Sequence, residues 1–191
     1  MAETALTRER ILNAAIALVD RDGLDGLNMR RLATELGVGT MSLYHHVPDK
    51  EALLTGIAEV VMADLERPPD SADWLEAAPI LAHSFRRIAL AHPGVFPLLL
   101  GRKTPPAVMA AAIAIGSGLR QRGFDDATAT LIFRIIVRFL VGWCMVETVG
   151  GPSGNRGRVI DRDEADRQFS FALDVVLSGL AARLQTPQVQ S

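Results

Sequence analysis

The chain contains very little cysteine and few aromatic residues. Its 191 residues include one cysteine, Cys144, which excludes an internal disulfide bond and a cysteine-rich zinc site. Cys144 lies in an apolar run, where the usual role is that of a small buried hydrophobic residue. Hydrophobic residues make up 49% of the chain but aromatic residues only 5%. Alternating β-branched runs and Asn-Gly turns are absent, so the sequence predicts an all-α fold.

An excess of positive charge is also missing. The formal net charge is −2, and residues 1–50 hold six Lys and Arg against seven Asp and Glu. The composition therefore permits nucleic-acid binding without requiring it. The N-terminus lacks the pattern of a signal peptide, and the longest apolar run, residues 139–146, is shorter than a membrane span. We therefore expect a soluble, cytoplasmic protein with no membrane partner.

The motifs of common enzyme classes are missing as well. The four histidines, His45, His46, His83 and His92, do not have the spacing of a His-x-x-x-His metal site. No Gly-x-Ser-x-Gly element occurs, and Cys144 has no neighbouring histidine in the sequence to activate it. The sequence predicts no enzymatic activity, no metal site and no cofactor.

Residues 29–50 have the apolar and glycine pattern of a DNA-binding helix-turn-helix. Leu32 and Leu36 lie four residues apart, so they share one helical face. Gly37 can adopt the left-handed conformation that ends a helix, and Leu43 can anchor the next helix against the first. The outward residues of that reading helix, expected over about residues 40–46, would then face a DNA major groove. Two short helices joined by a turn in an ordinary bundle would have the same local pattern.

The segment from Leu6 to about Ile57 resembles the N-terminal domain of the TetR (tetracycline-repressor) family of bacterial transcription regulators. The resemblance is carried by many spaced positions, namely Ile11, Ala14, Ala15, Gly23, Gly26, Leu27, Arg30, Leu32, Ala33, Leu36, Gly37, Val38, Leu43, Tyr44, His46, Val47, Lys50, Leu53 and Leu54. It implies a three-helix helix-turn-helix head followed by a C-terminal helical domain for ligand binding and dimerisation. The implied division is a DNA-binding domain over 1–50, a connecting helix over 51–67, a ligand-binding and dimerisation domain over 70–185 and a flexible tail over 186–191.

The resemblance also implies a DNA-binding surface. Its predicted residues are Asn28, Arg30, Gly39, Thr40, Met41, Ser42, Tyr44, His45, His46 and Lys50. Arg30 matches a position that contacts a phosphate or a base. The positions that hold the phosphate backbone are matched by Tyr44, His46 and Lys50. The residues that face base edges are Thr40, Met41, Ser42 and His45. Packing of the Tyr44 ring in the core is the alternative role for that residue.

Over about residues 74–150 the chain resembles the C-terminal domain of the tetracycline repressors themselves. The matching residues are Trp74, Ser84, Phe85, Arg86, His92, Gly101, Gly123 and Phe124. The resemblance places Leu99 at the position of a magnesium-binding histidine, and Leu81 and Ile115 at positions of drug-binding asparagine and glutamine. Leucine cannot ligate Mg²⁺, so the expected effector is small and largely apolar, and not a magnesium–tetracycline chelate. The predicted ligand-binding residues are Leu81, Phe85, Leu99, Met109, Ile115 and Phe133, with Lys103 or Arg102 at the rim. The alternative is that these residues only fill a core.

Two C-terminal segments are more apolar than a small monomer needs. Residues 131–149 are apolar nearly all round, and one face of the last predicted helix carries Phe169, Leu173, Val176, Leu180 and Leu184. Two copies of each helix would form a four-helix bundle, whereas in the alternative both helices fill the core of one chain.

Together these patterns predict a ligand-responsive, homodimeric transcription regulator, most often a repressor in this family. Its partners would be a palindromic double-stranded DNA operator and a small-molecule effector that releases it. The alternative is a small-molecule carrier or interaction module whose helix-turn-helix does not bind DNA.

Overall fold

The structure, a computed structural model, describes residues 5–69, 72–100, 104–149 and 161–185. These residues form eight α-helices and no β-strand, which confirms the predicted all-α class. The helices are α1 (Arg8–Asp22), α2 (Met29–Leu36), α3 (Thr40–Tyr44), α4 (Lys50–Met62), α5 (Trp74–Ala91), α6 (Pro106–Gln121), α7 (Asp126–Val149) and α8 (Arg162–Gln185). Short 3-10 helices lie at Leu24–Gly26 and Phe96–Leu100. The predicted flexible tail, residues 186–191, lies outside the described residues.

Side-chain caps fix where several helices begin. At the start of α4, Asp49 Oδ1 accepts a hydrogen bond from the Ala52 backbone N–H at 2.7 Å. At the start of α7, Asp125 Oδ1 accepts one from the Thr128 backbone N–H at 2.7 Å, and this bond lowers the pKa of the Asp125 carboxyl. Each cap satisfies a backbone donor that the first turn of a helix otherwise leaves without a partner.

The first compact unit combines Met1–Glu66 with Ser84–Ala110. Its hydrophobic core contains residues of α1, α2 and α4 together with three residues from the second half of α5 and beyond, namely Ile88, Val95 and Leu98. Val95 has no exposed area, and Ile88 is 2% exposed. The helix-turn-helix segment therefore shares one core with a stretch of chain that begins at Ser84, 22 residues after the last residue of α4.

The second compact unit combines Arg67–His83 with Ala111–Ser191. Trp74, at the start of α5, is 1% exposed and packs closely against Gly118 of α6. A Cβ added at Gly118 would lie 2.9 Å from the Trp74 backbone nitrogen, so only glycine allows this approach. The predicted functional division into head, connecting helix and body stays a prediction.

Aromatic rings join α7 and α8 within the second unit. The Phe139 and Trp143 rings lie 6.1 and 5.7 Å from the Phe169 ring, measured between centroids. The His83 ring approaches the same Phe169 ring edge-on at 5.1 Å. Cys144 has no exposed area, which confirms that this cysteine is a small buried residue.

Much of the apolar surface of α7 lies outside the core. Its segment Asp126–Thr148 has a mean hydropathy of 1.9 but is only 28% buried, so length and composition alone would allow this helix to cross a membrane. The longest uninterrupted apolar run, residues 139–146, is much shorter than this segment, so that run alone does not indicate a span of this length. Arg134 and Arg138 are exposed on the same helix, and charged side chains are rare and costly in hydrocarbon. One such helix is weak evidence for a membrane span, because helices that cover one another in soluble proteins have the same composition.

Candidate nucleic-acid interface

A tight glycine turn joins α2 to α3. Gly37 has φ of 69° and ψ of 29°, the left-handed conformation that glycine adopts without steric cost. Its N–H donates to the Thr34 carbonyl at 3.1 Å, and the Val38 N–H donates to the Ala33 carbonyl at 3.0 Å. These bonds satisfy carbonyl groups at the end of α2 and redirect the chain into α3, which confirms the turn predicted from the sequence.

Apolar residues beneath the turn hold α3 against α2. Leu32 and Leu43 have no exposed area, Ala33 is 2% exposed and Val47 is 1% exposed. All four belong to the hydrophobic core of the first unit. Because Leu43 is the inward residue of α3, its neighbours along the helix are left at or near the surface.

The reading helix is shorter than the sequence predicts. It was expected over residues 40–46 but ends at Tyr44, and His45 and His46 lie in the turn that follows. The Leu43 carbonyl accepts hydrogen bonds from the His46 N–H at 3.0 Å and from the Val47 N–H at 2.8 Å, and Pro48 has no N–H with which to continue the helix. Both histidines are nevertheless exposed and lie beside α3 in the sequence.

The side chains of α3 differ in exposure. Met41 is 73% exposed and Tyr44 is 42% exposed, so the Tyr44 ring is not part of the core. Thr40 and Ser42 are half-buried. Gly39 precedes the helix with no side-chain cap, and a Cβ placed there would have only Ser42 Oγ within reach, at 4.0 Å.

Two arginines of the head pair with carboxylates of the head itself. Arg21 forms a two-pronged pair with Glu35 at 3.1 and 3.3 Å, and this hydrogen bond lowers the pKa of the Glu35 carboxyl. Arg31 donates to Asp22 at 2.6 Å and to the Gly26 carbonyl at 3.4 Å. These cations are bonded within the head.

Arg30 and Lys50 have no such pair in the described part of the head. Both are exposed, and neither pairs with a carboxylate among the residues that the structure describes. The sequence groups Arg30 with Arg31, but the structure separates these neighbours because the two side chains leave α2 in directions about 100° apart. Arg30 lies near the start of α2, and Lys50 lies at the start of α4.

Asn28, one of the predicted DNA-binding residues, also caps α2. Its Oδ1 accepts a hydrogen bond from the Arg31 backbone N–H at 2.8 Å and so caps α2. A side chain held this way is fixed in place, but it is still exposed at the surface.

The predicted ligand-binding residues are divided between the two units. In the second unit, Leu81 and Ile115 are buried and Phe133 is half-buried. In the first unit, Phe85 and Leu99 are half-buried and pack against its core, whereas Met109 is 50% exposed. Lys103 and Arg102 lie outside the described residues. Their shared role as an effector lining stays a prediction.

Comparison with known proteins finds matches along most of the chain. Residues 11–57 match the family described as "Bacterial regulatory proteins, tetR family", and residues 67–158 match "Tetracyclin repressor-like, C-terminal domain". The tetracycline repressor protein class D of Escherichia coli is 38% identical over 198 residues, which cover 94% of this chain and 91% of that protein. The class A repressor from transposon 1721, also from Escherichia coli, is 31% identical and covers 94% and 93%.

Solved structures are similar over the same length. The TetR family protein ActR of Streptomyces coelicolor, in complex with actinorhodin, superposes with a TM-score of 0.76 at 27% identity. The match covers 96% of this chain and 100% of ActR.

Proposed function

The chain belongs to the TetR family of bacterial regulatory proteins, and from this premise we propose that it represses transcription by binding a palindromic operator as a homodimer. Membership makes it a ligand-responsive, DNA-binding regulator and not an enzyme. In the proposal, a small and largely apolar effector releases the dimer from DNA. The protein then works in the cytoplasm, where its operator lies.

The separation of the head's cations is the observation that carries the DNA-binding proposal. Arg21 and Arg31 are bonded to carboxylates within the head, whereas Arg30 and Lys50 are not. A free cation can take a phosphate without first breaking an ion pair, so Arg30 and Lys50 are the side chains best placed to bind the DNA backbone. They flank α3, whose exposed residues Met41 and Tyr44 can then meet the groove.

Mobility-shift titrations at several salt concentrations test this assignment, with an operator selected from random double-stranded DNA. Arg30→Ala and Lys50→Ala should each weaken binding and reduce the slope of log affinity against log salt by about one. Arg31→Ala is the matched control, since it removes the neighbouring arginine but breaks only bonds within the head. Its salt slope should stay that of the wild type.

Two outcomes would contradict the assignment. If Arg31→Ala lowers the salt slope as much as Arg30→Ala does, the cations are not divided as proposed. If the wild-type chain retards no selected DNA specifically, a carrier or interaction module becomes the better description.

Exposed apolar residues on the last two helices support the dimer, but they lie off the predicted stripe of α8, whose Phe169 and Leu173 are buried within the chain. Leu131 on α7 is 56% exposed, and Phe171 and Val175 on α8 are 72% and 56% exposed. Phe171 and Val175 lie four residues apart and so share one face of α8. Exposed apolar side chains of this size favour burial against a similar surface, which a second copy of the chain supplies.

The chemistry of the predicted lining supports an apolar effector. Leu81, Leu99 and Ile115 offer no oxygen or nitrogen in their side chains, and Mg²⁺ requires such ligands. Among the described residues, no group of three or more His, Cys, Asp or Glu side chains is arranged to hold a metal ion. The relative ActR was solved with actinorhodin, which supports an organic effector here.

A thermal-shift screen tests the effector class. Actinorhodin and a set of apolar aromatic compounds are compared with tetracycline plus Mg²⁺, and ligands that bind the folded state should raise the melting temperature. We expect stabilisation by members of the apolar set. Stabilisation by the tetracycline–magnesium mixture alone would contradict the proposal.

A further inference from the structure

One polar contact joins two parts of the first unit that are 72 residues apart in the sequence. His92, just after α5, and Asp20, in the last turn of α1, lie 2.7 Å apart between Nδ1 and Oδ2. We infer that this pair positions the reading head by fixing the end of α1 to the segment that follows α5. The inference rests on the proposed dimeric reading of an operator.

The two side chains are partly shielded from water. The Asp20 side chain is 24% exposed and that of His92 is 33% exposed. The second carboxylate oxygen, Asp20 Oδ1, is buried and has no hydrogen-bond partner in the described part of the chain. A carboxylate oxygen accepts hydrogen bonds, so the N–H of the His92 ring is the donor in this pair. His92 is therefore the main partner that Asp20 has, and loss of either residue leaves the other without it.

The backbone next to His92 touches the same turn of α1. A Cβ added at Gly94 would overlap the Val19 carbonyl oxygen and lie 3.0 Å from the Asp20 Cα, so a side chain larger than hydrogen would push the two segments apart. The His92 carbonyl accepts hydrogen bonds from the Val95 and Phe96 N–H groups, both at 3.1 Å. His92 thus begins the turn into the 3-10 helix Phe96–Leu100 and holds α1 with its side chain.

A second attachment lies at the end of α4. Ser84 Oγ accepts a hydrogen bond from the Glu66 N–H at 2.9 Å, and Arg87 donates to the Asp64 carbonyl at 3.0 Å. Ser84, Arg87 and His92 are spaced by three and five residues along α5 and its end. The second half of α5 therefore bonds to the end of α4 and, through His92, to the end of α1.

The α1 attachment fixes the orientation of the reading helix. The bonds at the far end of α4 do not involve α1, and the apolar contacts of Ile88, Val95 and Leu98 with the shared core have no fixed direction. α2 and α3 pack with α1 in this core, so the directional bond between His92 and Asp20 sets the angle at which the head packs on the segment after α5. In a dimer the orientation of each head sets the spacing of the half-sites that both can reach at once.

The test measures how binding depends on half-site spacing. Operators with the selected spacing, and with one or two base pairs added or removed, are titrated by fluorescence anisotropy against the wild type, His92→Ala, Asp20→Ala and the double variant. We expect about a tenfold loss at the preferred spacing and a much smaller loss at the others, so the spacing profile becomes flatter. The double variant should lose no more than either single variant, because both remove one interaction.

Two further variants separate positioning from simple destabilisation. His92→Asn keeps an N–H donor close to the position of Nδ1 and should restore most of the spacing preference. Arg21→Ala breaks the pair with Glu35 one residue further along α1, entirely within the head, and should keep the wild-type profile. Equal losses at every spacing, or an unchanged profile in His92→Ala, would overturn the inference.

Hydrogen exchange of the free protein provides a test that needs no DNA. His92→Ala should speed amide exchange in residues 92–98 and in the last turn of α1, with α2 and α3 unchanged. If the wild type shows no preferred half-site spacing, the proposal that a dimer reads the operator fails. The exchange result then still decides whether the His92–Asp20 pair holds α1. Exchange that is unchanged in His92→Ala would overturn the inference in that case.

Discussion

The reading surface at α3 and the outer faces of α7 and α8 both leave side chains in water, but most of these side chains differ in chemistry. Around α3 the exposed Met41 and Tyr44 lie among polar and charged groups, and Arg30 and Lys50 stay free of carboxylates among the described residues. On α7 and α8 the exposed groups include Leu131, Phe171 and Val175, all more than half exposed. The two regions differ in length as well, with five residues in α3 against 24 in each of the long helices.

This difference separates two kinds of partner. An unpaired surface cation is well solvated in water and gains when a phosphate replaces that water and releases counterions. A row of exposed apolar side chains gains only when another apolar surface covers it, at about 25 cal/mol for each Å² removed from water. The exposed cations therefore suit the α3 region to DNA. The exposed apolar side chains suit α7 and α8 to a second copy of the chain.

The largest effect is expected at the exposed apolar residues of α8. Glutamates introduced together by Phe171→Glu and Val175→Glu should weaken dimerisation by about a hundredfold or more, because charges on a covered apolar surface cannot be solvated. Light scattering at micromolar protein concentration should then report a folded monomer. Asn13→Glu, at an exposed polar position of α1, is the control and should remain dimeric. A double variant that stays dimeric would place the interface elsewhere.

The next effect concerns Tyr44, the aromatic residue of the reading surface. Because its ring is 42% exposed, Tyr44→Ala should weaken operator binding by about tenfold with little change in the free energy of unfolding. Tyr44→Phe distinguishes the two parts of the side chain. If the hydroxyl binds a phosphate, the phenylalanine variant loses most of the same affinity. Wild-type affinity in Tyr44→Phe would assign the ring, and not the hydroxyl, to the contact.

A smaller effect is expected at Asn28, where a structural and a DNA-binding role meet. Asn28→Ala removes the cap of α2 and should lower the free energy of unfolding by about 1 kcal/mol, measured by urea denaturation. Asn28→Asp keeps the cap, since a carboxylate accepts the same N–H, but adds a negative charge to the proposed DNA surface. It should unfold like the wild type and bind the operator more weakly. Unchanged operator affinity in Asn28→Asp would remove this residue from the DNA-binding set.

Local chemistry explains which features could be predicted from the sequence. The turn at Gly37 and the buried Leu32 and Leu43 depend on residues at most four positions apart, and the structure shows them as predicted. The sequence does not show that α3 ends at Tyr44. The Leu43 carbonyl accepts hydrogen bonds from both the His46 and the Val47 N–H groups, and the sequence suits either bond.

Contacts between distant residues could not be predicted in this way. The pairing of Arg31 with Asp22 depends on how α2 approaches the end of α1, so the sequence alone does not distinguish Arg31 from Arg30. The contact between Asp20 and His92 joins helices that no motif connects. The joining of residues 84–110 to the core of the helix-turn-helix segment is likewise a property of packing, although the apolar character of Ile88 and Val95 is visible in the sequence.

The smallest effect is expected at Gly39, which begins the reading helix without a side-chain cap. Its φ of −72° and ψ of 145° suit any residue, and a Cβ there would meet nothing closer than Ser42 Oγ at 4.0 Å. Gly39→Ser should therefore cap α3 and raise the free energy of unfolding by a few tenths of a kcal/mol, as measured by urea denaturation.

Gly39→Ala is the matched control, because alanine adds the same Cβ but cannot accept a hydrogen bond. Its free energy of unfolding should fall below that of the serine variant by about 1 kcal/mol. The serine hydroxyl would also stand at the edge of the reading surface, where it can donate to a phosphate or a base and so raise operator affinity slightly. Equal stability of the serine and alanine variants would mean that the start of α3 is not limited by its missing cap. The reading helix would then be held by its packing through Leu43 alone.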